Sequence, residues 1–147
     1  MNTEFTIAIG SDHAGYELKG KVIQTLENQG FTVEDKGCYS EESVDYPDFG
    51  HAVAEAVSTR DDVRGIVICG SGNGINMSVN KHRDVRSALC WEVALAELAV
   101  QHNNANVLAL PARFIEDKVA LACVQAFITE SFEGGRHERR VNKINCA

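Results

Sequence analysis

The sequence predicts an α/β fold: a five-stranded parallel sheet with helices on both faces, in three layers. Three observations predict it. Short apolar runs alternate with longer stretches of helical periodicity along the whole chain. The clearest run, Ile66, Val67 and Ile68, lacks polar alternation, as strands buried on both faces do. Glycine closes the first periodic stretch, at Gly30.

The elements follow in order. Residues 5–10 read as the first strand. Residues 15–28 carry Leu18, Val22, Ile23 and Leu26 at helical spacing, with Gly30 as the stop. Residues 31–35 form a short second strand. Tyr46 and Pro47 open a helix running to residue 59, with Pro47 suited to the first turn. Residues 65–69 are the third strand and 74–80 the next helix. Residues 85–90 are the fourth strand, 92–101 a helix, 106–110 the fifth strand and 116–129 a helix. Residues 136–144 read as a final helical turn or tail. With no linker, repeat or low-complexity segment, residues 1–147 are expected to form one domain.

The chain's 147 residues suffice for a substantial core. A formal net charge of −7 argues against a general nucleic-acid or membrane-surface binder. Cys38, Cys69, Cys90, Cys123 and Cys146 are odd in number and lack metal-ligand spacing. They point to a reducing cytoplasm rather than a disulfide framework. No charged-then-apolar leader and no membrane-length apolar run is visible. Residues 93–100 and 119–128 are so apolar that they need cover on both sides. They are read as an oligomer interface or as helices buried within one subunit.

Ligands in parallel α/β folds bind at the carboxyl ends of strands. Asp12 and His13 follow the first strand, Cys69 ends the third and Arg113 follows the fifth. After Cys69 come Gly70, Gly72 and Gly74, alternating with Ser71 and Asn73. Such a loop exposes N–H groups at a helix start, which bind anions and stabilise developing negative charge. The same helix end would favour a thiolate at Cys69. A core cysteine is the alternative.

Two nucleotide motifs are rejected. Residues 10–15 have the outer glycine spacing of a P-loop, but Tyr16 and Glu17 replace its Lys-Ser/Thr. The loop after Cys69 is G-x-G-x-G rather than G-x-G-x-x-G, which argues against a dinucleotide. His13, His51, His82, His102 and His137 form no H-E-x-x-H pair, so no metal site is expected from spacing. His51 and His82 are expected on solvated surfaces. His102 is either a dipole partner at its helix end or an acid–base group near the mouth of the sheet. Arg136 and Arg140 share a helical face in a locally basic tail, which suits a phosphate or a solvated cluster.

Five segments in order resemble the ribose-5-phosphate isomerase B family, which groups with sugar-phosphate isomerases for galactose and allose. They are GSDHAG at 10–15, DYP at 45–47, ICGSGNG at 68–74, QHNNAN at 101–106 and GGRHERRV at 134–141. The resemblance implies a Rossmann-like α/β/α sandwich. It also implies a homodimer, often paired into a tetramer, with active sites at the dimer interface. It implies no metal or organic cofactor. The implied reaction interconverts D-ribose 5-phosphate and D-ribulose 5-phosphate through a cis-enediol.

By that resemblance Cys69 is the base, and the N–H groups of the loop from Gly70 through Gly72 and Asn73 to Gly74 match the oxyanion donors. His102 matches the acid that opens the sugar ring. Asp12 accepts a proton or holds a hydroxyl, and Ser71 hydrogen-bonds the sugar. Tyr46 and Asn103 match substrate-lining positions. His13, Arg113, Arg136 and Arg140 match the phosphate-binding set. Some relatives place a glutamate later in the loop; here Ile75 is apolar and Cys69 is present. Asn104 stands where some relatives carry aspartate, and Asn73 where some carry valine. The alternatives are an isomerase of allose 6-phosphate or galactose 6-phosphate, and a non-catalytic sugar-phosphate sensor.

Overall fold

The structure, a computed structural model, describes residues 5–146. The leaderless start expected at residues 1–4 lies outside them. Five strands form one all-parallel sheet: β1 Thr6–Ser11, β2 Val33–Asp35, β3 Val63–Cys69, β4 Ser87–Leu89 and β5 Val107–Pro111. Their order is β2-β1-β3-β5-β4. The helices are α1 Tyr16–Asn28, α2 Tyr46–Thr59, α3 Asn73–Val79, α4 Val93–Asn103, α5 Asp117–Thr129 and α6 Arg136–Val141.

Strand alternation sorts the core into two halves. Ile7, Ile9, Ile66, Ile68, Leu108 and Leu110 face α1, α4 and α5. Ala8, Val67, Cys69, Val107 and Ala109 face α2 and α3. Each fully buried isoleucine or leucine contributes about 1.5–3 kcal/mol of transfer free energy. Gly65 lets α2 lie close: a Cβ there would stand 2.7 Å from Val53 Cγ1.

The chain leaves β1 for β2 on one side and resumes at β3 on the other. The crevice between the carboxyl ends of β1 and β3 is therefore a topological switch point. Register pairs Ser11 with Ile68, so Asp12 and Cys69 flank that crevice.

Of the two readings of the apolar helices, burial within one subunit holds for α5. The α5 face is covered within the chain: Ala120, Cys123, Val124, Phe127 and Ile128 are buried in the core with α1 and α4. Helix α4 keeps an apolar outer face, where Ala94 and Leu98 are exposed. His51 and His82 lie at the surface as expected and pair there, with His51 Nδ1 2.7 Å from His82 Nε2. Among the described residues no helix is long and apolar enough to cross a membrane.

Candidate active site

Cys69 is the last residue of β3 and only 4% exposed. The chain then turns sharply. Gly72 caps α3 with φ 77, a left-handed conformation that costs a side-chain-bearing residue about 1–2 kcal/mol. A Cβ there would also lie 2.4 Å from Leu89 Cδ1. The Asn73 N–H donates to Ser71 Oγ at 3.3 Å. The N–H groups of Ser71, Gly72 and Gly74 find no acceptor among the described residues. They are free donors beside the thiol.

Neighbouring elements close around this loop. Tyr46, 40% exposed at the start of α2, lies against Gly74, where a Cβ would meet its ring at 2.4 Å. Arg113 lies across Gly70, with Nη1 3.3 Å from the position a Cβ would take. The Arg113 N–H donates to the Gly70 carbonyl at 2.9 Å. Asp12 is buried, and one carboxylate oxygen accepts the Gly15 N–H at 3.2 Å. That oxygen caps a 3-10 turn, so one oxygen remains for a ligand. His13 Nδ1 accepts the Val44 N–H at 3.2 Å, which leaves its proton on Nε2 as a donor.

His102, Asn103, Arg136 and Arg140 stand elsewhere. A helix that follows a parallel strand runs back across the sheet, so α4 carries His102 and Asn103 to the amino edge. Its 11 residues span about 16 Å. From there β5 returns to pair Pro111 with Cys69, a run of about 13 Å over Val107–Pro111. His102 is thus not near the mouth of its own sheet. Arg136 opens α6, which packs against α4, and Arg140 lies a turn further on. The expected phosphate set is divided: His13 and Arg113 on the carboxyl edge, Arg136 and Arg140 on the amino edge.

The amino-edge group has members that spacing did not reveal. His102 and His137 stack with centroids 4.2 Å apart and planes at 12°. Glu133 Oε1 lies 3.7 Å from His102 Nε2 and 3.6 Å from His137 Nε2. Burial holds His137 below the usual histidine range, and His102 and Arg136 push it the same way. His137 stood in the sequence within the GGRH segment but without a role. Glu133 left no periodic signal. Lys19, 2% exposed, pairs with Asp35 at 2.6 Å. Asp35 in turn accepts the Gly37 N–H at 2.9 Å and so orders the start of the connection to α2.

Known proteins show the same frame. The profile of the family described as ribose/galactose isomerase matches residues 7–144. Ribose-5-phosphate isomerase B of Escherichia coli is 41% identical over 140 residues, covering 95% of this chain and 94% of that protein. The solved structure of ribose 5-phosphate isomerase from Thermotoga maritima superposes with a TM-score of 0.93 at 48% identity, covering 95% and 97% of the two chains. That of the Mycoplasma genitalium isomerase B, solved with bound ribulose-5-phosphate, has a TM-score of 0.92 at 43% identity, covering 97% and 95%. With a glycine-looped thiol at the switch point and a match over nearly its whole length, the chain belongs to the ribose/galactose isomerase family.

Proposed function

We propose that this protein is an aldose–ketose isomerase interconverting D-ribose 5-phosphate and D-ribulose 5-phosphate. The observation that carries the reading is Cys69 at the β1/β3 crevice beside three unpartnered N–H groups. Proton transfer between adjacent carbons needs one base and donors for the oxyanion that develops. The Cys69 thiolate removes the C2 proton of the open aldose. Negative charge collects on O1 and is met by the loop N–H groups. The proton returns to C1, O2 loses its hydroxyl proton as the ketone forms, and O1 takes one up.

Asp12 holds a sugar hydroxyl with its free oxygen, and Ser71, Asn73 and Tyr46 line the sugar. His13 donates through Nε2 to the phosphate, with Arg113 beside it. No metal or organic cofactor is needed for these steps. His102, Asn103, Arg136 and Arg140 come from a second copy, because a single chain holds them on the opposite edge. The exposed outer face of α4, with Leu98 42% exposed, supports such an association. His102 then protonates the ring oxygen to open the furanose, and Asn103 contacts the sugar. Arg136 and Arg140 complete the phosphate site with charge-assisted contacts of about 1.5–3 kcal/mol each. Five unpaired thiols suit work in a reducing cytoplasm.

The test is turnover of ribose 5-phosphate by purified protein with added chelator, beside allose 6-phosphate and galactose 6-phosphate. Chelator-insensitive pentose turnover is expected. Activity on a hexose phosphate alone would move the substrate, and inactivity on all three would contradict catalysis and favour a sensor.

A further inference from the structure

Three side chains from separate elements converge at the amino edge: His102 in the last turn of α4, Glu133 after α5, and His137 in α6. Their ligating atoms lie within 4.8 Å of one another. Glu133 Oε1 stands 3.7 Å and 3.6 Å from the two Nε2 atoms. Around a tetrahedral ion with bonds of about 2.0–2.1 Å, ligand atoms sit about 3.3 Å apart. The cluster is therefore within a few tenths of an ångström of that spacing on two of its edges.

We propose that His102, Glu133 and His137 form a binding site for a zinc-class transition cation, whose occupancy blocks the isomerase. Two imidazoles and one carboxylate suit zinc, cobalt or nickel, whereas magnesium and calcium prefer oxygen ligands throughout. The backbone sets the spacing. The Glu133 N–H donates to the Gln101 carbonyl at 3.0 Å, which ties Glu133 to the turn carrying His102. Glu133 is 52% exposed and His102 36%, so an ion enters from solvent.

Two features oppose loading. Arg136 and Arg140 place positive charge beside the cluster. The two rings also stack nearly parallel, while a bound ion lies in the plane of each imidazole. Loading therefore turns one ring about its Cβ–Cγ bond, and the more exposed His102 has the room. The ion takes the Nε2 lone pair, so that nitrogen no longer carries a proton to the ring oxygen. This inhibitory half rests on the role proposed for His102; the binding half does not.

The test titrates metal-stripped full-length protein with cobalt, read by visible absorption, and with zinc by competition. One cobalt per chain is expected, with tetrahedral absorption and no thiolate charge-transfer band. Glu133→Gln and His137→Gln should each weaken binding about tenfold or more. His82→Gln, in the other imidazole pair, should not. Unchanged affinity in both amino-edge variants, no bound cobalt, or loss of binding in His82→Gln or Cys69→Ala would overturn the site. Zinc should inhibit wild-type turnover reversibly with chelator. Cobalt bound as expected with turnover untouched by zinc would overturn the inhibitory half alone.

Discussion

Cys69 is one of four buried thiols, and its position rather than its burial sets it apart. Burial pushes the Cys90 thiol up to about 12, with Cys123 adding to the effect, so Cys90 stays protonated and cannot serve as a base. Cys69 ends its strand where free N–H groups begin. Cys69→Ala should lower kcat by about 100- to 10,000-fold, the range of a lost general base. It should cost only about 1 kcal/mol of stability. Steady-state kinetics beside thermal unfolding check both, and a rate close to wild type would remove Cys69 from the mechanism. Cys69 was legible because an apolar run stops at it and glycines follow. Glu133 was not legible, since its partners lie 31 residues before it in sequence, at His102, and four after it, at His137. Only the return of α5 and α6 past the end of α4 joins them.

At the scale of elements, the loop before α3 does the positioning. Gly72→Ala would meet both the left-handed backbone and Leu89, and should cost about 1–2 kcal/mol, a few degrees in Tm. It should also lower kcat/KM by re-aiming the N–H donors. Gly30→Ala is the control: its φ is 93 but nothing lies within 4 Å of the new Cβ. That variant, with backbone strain but no clash, should lose less stability and keep its kcat/KM; equal losses of activity in both would deny the loop a special role. Strand existence and order of elements were readable from periodicity, but two strands are shorter than expected. The Phe31 N–H donates to Leu26 and closes α1, so β2 begins at Val33. The Arg86 carbonyl accepts from both Asn106 and Val107, and its Nε donates to the Asn104 carbonyl, so β4 begins only at Ser87. Side-chain character marks a strand's interior; hydrogen bonds made by neighbouring elements set its ends.

At the scale of the molecule, the two edges of the sheet divide the candidate residues. Asp12, His13, Tyr46, Cys69 and Arg113 gather on the carboxyl edge. His102, Asn103, Arg136 and Arg140 gather on the amino edge with Glu133 and His137. Sequence named candidate residues of both groups but could not show the division, because helix direction fixes it and motif order does not. The apolar periodicity of α5 likewise did not separate cover by its own chain from cover by another. On the proposed mechanism, one group of one copy works with the other group of a second copy. The most direct test combines two inactive variants, Cys69→Ala and His102→Gln, by unfolding and refolding them together in equal amounts. Random pairing into dimers leaves one intact site in each mixed dimer, so about one quarter of wild-type activity should return. If mixed dimers form, as native mass spectrometry would show, and no activity returns, the account of a site shared between copies is contradicted.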